Sequence, residues 1–188
     1  MILAAMMLLL TSPAHADDLF HPSRARLIAH GGHDLGEKTR LEYRFAPSGN
    51  LLGELAPAAF FGAKFKATEW LGIETYLGVA FKPNEPIMSL SLNPHFDNVY
   101  GWTQIDLRVP SKTGYWFTQA EYKILDWFHV GVEGEGWGNY ERSASWNHGG
   151  GPNLLFRFGM LGVDTTVHIR SYNSETKPEF FLRTHLFL

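Results

Sequence analysis

The chain has 188 residues, a length for a single domain. Its 16 basic and 19 acidic residues leave a net charge of −3, which lacks the electrostatic footprint of a nucleic-acid binder, and nucleic acid is not expected as a partner. The chain has no cysteine, so an exported domain of this size must find its stability somewhere other than in disulfides.

Export is the first expectation along the chain. Ile2 to Leu10 is an unbroken apolar run of nine residues, followed by Thr11-Ser12-Pro13 and then Ala14-His15-Ala16, a small-x-small cleavage pattern. Residues 1–16 therefore read as a secretory signal, although no Lys or Arg precedes the run, so the true start is placed upstream. Nine residues are too few to cross a bilayer as a helix, and no later apolar run is longer. Residues 17–37 are polar, contain histidine and lack clear periodicity, and read as a periplasmic N-terminal extension.

From residue 38 onward apolar and polar residues alternate with the period of a β-strand. Leu41, Tyr43 and Phe45 oppose Arg40, Glu42 and Arg44, and Pro47-Ser48-Gly49-Asn50 signals a turn. Ala59, Phe61, Ala63 and Phe65 oppose Lys64 and Lys66, and Ile73, Thr75, Leu77, Val79 and Phe81 oppose Glu74 and Tyr76. Lys82 to Pro86 reads as a turn and Ile87 to Leu92 as a short strand. Next, Thr103, Ile105, Leu107 and Val109 oppose Gln104, Asp106 and Arg108, and Trp116, Thr118, Ala120 and Tyr122 oppose Gln119 and Glu121. Phe128, Val130 and Val132 oppose His129, Glu133 and Glu135. Asn139 to Pro152, polar and bearing Gly149-Gly150-Gly151, reads as the longest loop. Leu154, Phe156 and Phe158 oppose Arg157, and Val163, Thr165, Val167 and Ile169 oppose Asp164, Thr166, His168 and Arg170. Phe180, Leu182, Thr184 and Leu186 finally oppose Arg183 and His185.

That pattern gives ten strands, or eight if Ile87–Leu92 is a loop, in an all-β antiparallel up-and-down barrel over residues 38–188. The long connections fall on one side when both termini share the other, as in membrane barrels. Leu41, Phe65, Leu77, Ile105, Val132, Phe156, Val167 and Leu186 are expected to face lipid. Trp70, Tyr100, Trp102, Tyr115, Trp127, Trp137 and Tyr172 lie near strand ends, where an interfacial aromatic girdle would stand. In its last strand, closing on Leu186-Phe187-Leu188, the chain resembles bacterial outer-membrane β-barrels as a class. The resemblance implies a transmembrane barrel in a Gram-negative outer membrane, reached by signal-peptide export, with outer-membrane lipid as partner. It is specific to no single family.

No catalytic residue is assigned. The lipid A deacylases carry a His-x-Ser pair on a late strand, whereas the late histidines here read His168-Ile169-Arg170 and His148-Gly149-Gly150. The rim Asp and Asp-His pairs of omptin-like proteases have no counterpart. The charged alternates are expected to pair inside the barrel as one polar network: Arg40, Glu42, Arg44, Lys64, Glu74, Asp106, Arg108, Glu121, His129, Glu133, Glu135, Arg157, Asp164, His168, Arg170 and Arg183. His30-Gly31-Gly32-His33, with His21 nearby, is a weak metal candidate, since a zinc site takes three or four ligands and His30 with His33 supplies two. No cofactor is expected. The reading that follows is a structural, adhesive or accessory barrel of the cell envelope, with residues 139–152 as the contact surface for an envelope or extracellular protein. The alternatives are an enzyme acting on envelope lipid and a soluble periplasmic lipocalin-like carrier of an apolar ligand.

Overall fold

Strict alternation commits one face of every strand to a common side, and closing the sheet on itself then gives an inside and an outside with no free edge. A computed structural model describes residues 20–21, 23–46, 48–50, 56–142, 146–172 and 175–188; residues 1–16, expected to be a signal, lie outside them. Among the described residues there is no helix. The strands are β1 (Arg24–Asp34), β2 (Thr39–Ala46), β3 (Ser48–Asn50), β4 (Ala58–Lys66), β5 (Leu71–Phe81), β6 (Asn84–Phe96), β7 (Val99–Arg108), β8 (Thr113–Leu125), β9 (Phe128–Asn139), β10 (Asn147–Phe158), β11 (Leu161–Tyr172) and β12 (Glu175–Phe187).

β2 and β3 run along β1 in one register, Phe45 opposite Ala29 and Ser48 opposite Arg26, so they count as one strand of the wall. The result is a closed barrel of eleven strands rather than ten. The added strand is β1, in the segment expected to be an extension. Its alternation starts at Arg24 and is obscured by the adjacent Leu27 and Ile28, one facing out and one buried. Every sequential pair is antiparallel, and the ring closes through a parallel pairing of Arg24–His30 with Phe181–Phe187. An odd number of hairpin-linked strands requires this, because the first and last then run the same way. Arg24 and Phe187 consequently stand at opposite rims, which replaces the expectation that both ends of the chain share one side.

Other local expectations change with the pairing. Ser48–Asn50, expected in a turn, is strand. The short strand at Ile87–Leu92 lengthens to Asn84–Phe96. Residues 147–152, expected in the long loop, belong to β10. Its glycines are wall residues: a Cβ on Gly149 would stand 2.9 Å from the Arg170 guanidinium carbon, and one on Gly151 would collide with the Val167 carbonyl. The longer connections, 51–57 and 140–146, join strand ends that lie at the rim where β1 begins, here the upper rim. Residues 35–38, 67–70, 97–98, 126–127 and 159–160 turn at the lower rim.

The outer face is apolar. Phe65, Leu77, Ile105, Val132 and Val167 are exposed, and Leu41, Phe156 and Leu186 are half-buried on the same face. Of the seven aromatics expected in a girdle, Trp70 and Trp127 are exposed, Trp70 stacking on Phe96 at 5.1 Å. Tyr100, Trp102, Tyr115 and Trp137 share the parity of the charged residues and line the interior instead. The Tyr172 side chain is outside the description.

The turn between β10 and β11 contains two residues, Gly159 and Met160, and Gly159 has φ +60°. A side chain in that left-handed conformation costs about 1–2 kcal/mol. Gly159→Val is expected to lower unfolding stability by at least that amount in urea titration, and Gly159→Asn by less.

Candidate functional site

An inward charge in a closed barrel has to find its opposite across the lumen, and the strands supply such partners from several directions. On the side of β8 to β12, the Arg183 guanidinium donates to Glu133 Oε2 at 3.0 Å and to Asp164 Oδ2 at 2.8 Å. It lies 4.2 Å from the centre of the Phe117 ring and 4.9 Å from that of Phe181. His168 Nε2 is 2.9 Å from Glu133 Oε1. Arg170 donates to Glu135 Oε1 and to Glu179 Oε2, both at 2.6 Å. Arg24 of β1 pairs with the same two carboxylates and, like Arg170, lies over the Trp137 ring. Gln119 and Asn153 bridge Asp164 to Glu121, and His129 stands 3.5 Å from Glu121.

A second group occupies the side of β2, β5 and β7. Arg44 donates to Glu74 Oε2 and to the Tyr76 hydroxyl, both at 3.0 Å, and to Gln104 Oε1 at 2.8 Å. Tyr76 donates to Glu42 Oε2 at 2.7 Å, Lys64 pairs with Glu74 at 3.0 Å, and Gln104 donates to both Asp106 oxygens. Near the rims, Arg40 stands 3.5 Å from Glu42 and Arg108 3.5 Å from Glu85, while Arg157 approaches the Tyr100 ring. The sixteen residues of the expected network line or cross the lumen, most of them in two groups rather than one, with Arg108 and Arg157 apart near the rims.

Sequence reading missed Arg24, Arg26, Glu85 and Glu179. Glu179 sits in phase with Arg183, so the last strand's alternation reaches it, and Arg24 and Arg26 share the parity of His30. His30 and His33 are three apart in a strand and therefore on opposite faces: His30 is inward, 3.0 Å from His185 Nδ1, and His33 is exposed. They are not a metal pair. Glu135, His168 and Glu179 bring three potential ligand atoms within 4.8 Å of one another. Arg170 donates to both carboxylates and already supplies the positive charge at that point.

Two cavities enter the lumen. One of about 770 Å³ opens at the lower rim and passes His30, Lys64, Glu74, Tyr100, Glu121 and His185. The other, about 420 Å³, opens at the upper rim and passes Arg24, Arg26, Phe60, Ile87, Arg108 and Tyr115. Among the described residues, His168 is held by Glu133 and Arg170, and His185 by His30, rather than by a hydroxyl that either could activate. The arrangement is suited to holding the barrel's interior together. Comparison with family models and with curated proteins gives no match to this chain.

Breaking one member of a buried ion pair strands its partner and costs about 3–5 kcal/mol, whereas an exposed pair contributes about 0–1 kcal/mol. Arg183→Met is expected to destabilise by the larger amount in urea unfolding, and adding Glu133→Gln to recover part of it. Lys112→Ala, which breaks an exposed pair with Glu141, is expected to fall in the smaller range.

Proposed function

We propose that the chain is a transmembrane barrel of a Gram-negative outer membrane, exported behind the 1–16 signal, with a structural, adhesive or accessory role in the envelope. The observation that carries this reading is the polarity of the wall. Arg170, Arg183, Glu135, His168 and Asp164 are almost wholly buried, while Leu77 is 71 % and Val132 62 % exposed. Water is a poor solvent for that exterior and hydrocarbon a good one. Closure gives each strand a neighbour on both sides, which backbone in hydrocarbon requires. A lipocalin-like carrier would have the opposite arrangement, an apolar lumen under a polar surface.

Outer-membrane lipid is then the first partner. The connections at the upper rim, above all 140–146 within the stretch 139–152, form the surface for an envelope or extracellular protein; residues 143–145 lie outside the described structure.

Expressed with its signal, the protein is expected in the outer-membrane fraction and to change gel mobility on boiling. Recovery in the soluble periplasm with no change in mobility would reject the reading. Leu77→Arg and Val132→Arg supply an independent check. In a lipid-facing wall each is expected to cost about 2–4 kcal/mol near mid-membrane. On a solvated surface neither would matter, and refolding yield into vesicles separates the two cases.

A further inference from the structure

We propose that Arg44 and Trp102 form the gate of a narrow path for small inorganic ions, an inference that rests on the membrane-spanning reading. The lower and upper cavities enter from opposite rims, and among the described residues the only side chains in the walls of both are Arg44 and Trp102. They project from β2 and β7, which β4, β5 and β6 separate in the wall, and the Arg44 guanidinium carbon lies 5.5 Å from the Trp102 ring centre. On this side of the lumen, this one pair of side chains is common to the walls of both cavities.

The adjoining part of the lumen, which meets Trp102 through the Phe117 ring at 4.7 Å, differs. Arg183, Glu133, His168, Arg170, Glu179 and Phe117 line neither cavity and fill their half with ion pairs and rings. Arg183 lies against Phe117 and Phe181 and lines neither of the two cavities. Arg44 adjoins both cavities, so a change of rotamer would carry its guanidinium toward space that is already open. Its hydrogen bonds to Glu74, Tyr76 and Gln104 hold the closed position. Once the guanidinium swings away, Glu42, Glu74 and Asp106 stand beside the gap, with Lys64 on Glu74 and with Arg26 and Arg108 above. A wall carrying both signs passes ions of either sign.

The test is single-channel recording of the full chain in planar bilayers in KCl, with insertion of the same preparation verified by heat-modifiable mobility. The wild type is expected to open briefly and rarely. A closed state that yields to a minor open one is open about 10 % of the time or less, so Arg44→Ala/Trp102→Ala is expected to raise time-averaged current about tenfold or more. Arg44→Gln, a milder change for use if the double variant does not fold, is expected to lie between them. Phe181→Leu, in the filled half and away from Trp102, is expected to record like the wild type. Inserted gate variants as tight as the wild type would overturn the proposal. So would a wild type that never opens, or one that conducts at the variant's level. Failure to insert would instead reject the membrane reading itself, and this inference with it.

Discussion

A charge pointing into a closed barrel has little solvent to screen it, so it must be neutralised by another side chain reaching across the lumen. The rest of this structure depends on that constraint. Arg183 between Glu133 and Asp164, and Arg170 between Glu135 and Glu179, join β9, β11 and β12, and Arg24 ties β1 to the same carboxylates. Each pair carries a large desolvation cost, which hydrogen bonds offset for most of the polar atoms, although Arg183 Nε is buried without a partner. The network therefore specifies which strands face one another more than it adds net stability.

The same constraint explains β1. A ten-strand wall would leave Glu135 and Glu179 with Arg170 as their common cation, whereas β1 brings Arg24 to both and Arg26 to within 3.6 Å of Glu135. Parallel pairing with β12 is slightly weaker per residue than antiparallel pairing, and the ion pairs across that seam offset the difference. Charge compensation in the lumen and closure of the wall are thus one problem with a shared solution.

Aromatic placement follows from the same geometry. Trp102, Tyr115 and Trp137 lie near strand ends but share a face with charged residues, and each lies beneath a guanidinium rather than against the exterior. Cation–π contact supplies part of the solvation that the arginines lose on burial. The two halves of the lumen solve the problem differently. One is filled with ion pairs and rings, and the other leaves two cavities whose walls share Arg44 and Trp102.

The sequence by itself determined the all-β class and the face of nearly every strand from residue 39 onward. A period of two is a local property, so Arg170 and Val167 were assigned to opposite faces without knowledge of any partner. It also identified sixteen of the lumen's charged and histidine side chains, since parity alone places them. Only the tertiary structure decided the strand count, the pairings and the division of the lumen. β1 carries Leu27 and Ile28 side by side, which hides its period, and it becomes a strand because β2 and β12 flank it. Gly149 to Gly151 read as loop because glycine has no side chain to show a period, yet the Arg170 guanidinium and the Val167 carbonyl need the space where a Cβ would be. Which carboxylate meets which arginine depends on the stagger of strands around the ring, a distance between residues as much as 155 positions apart that no local pattern encodes.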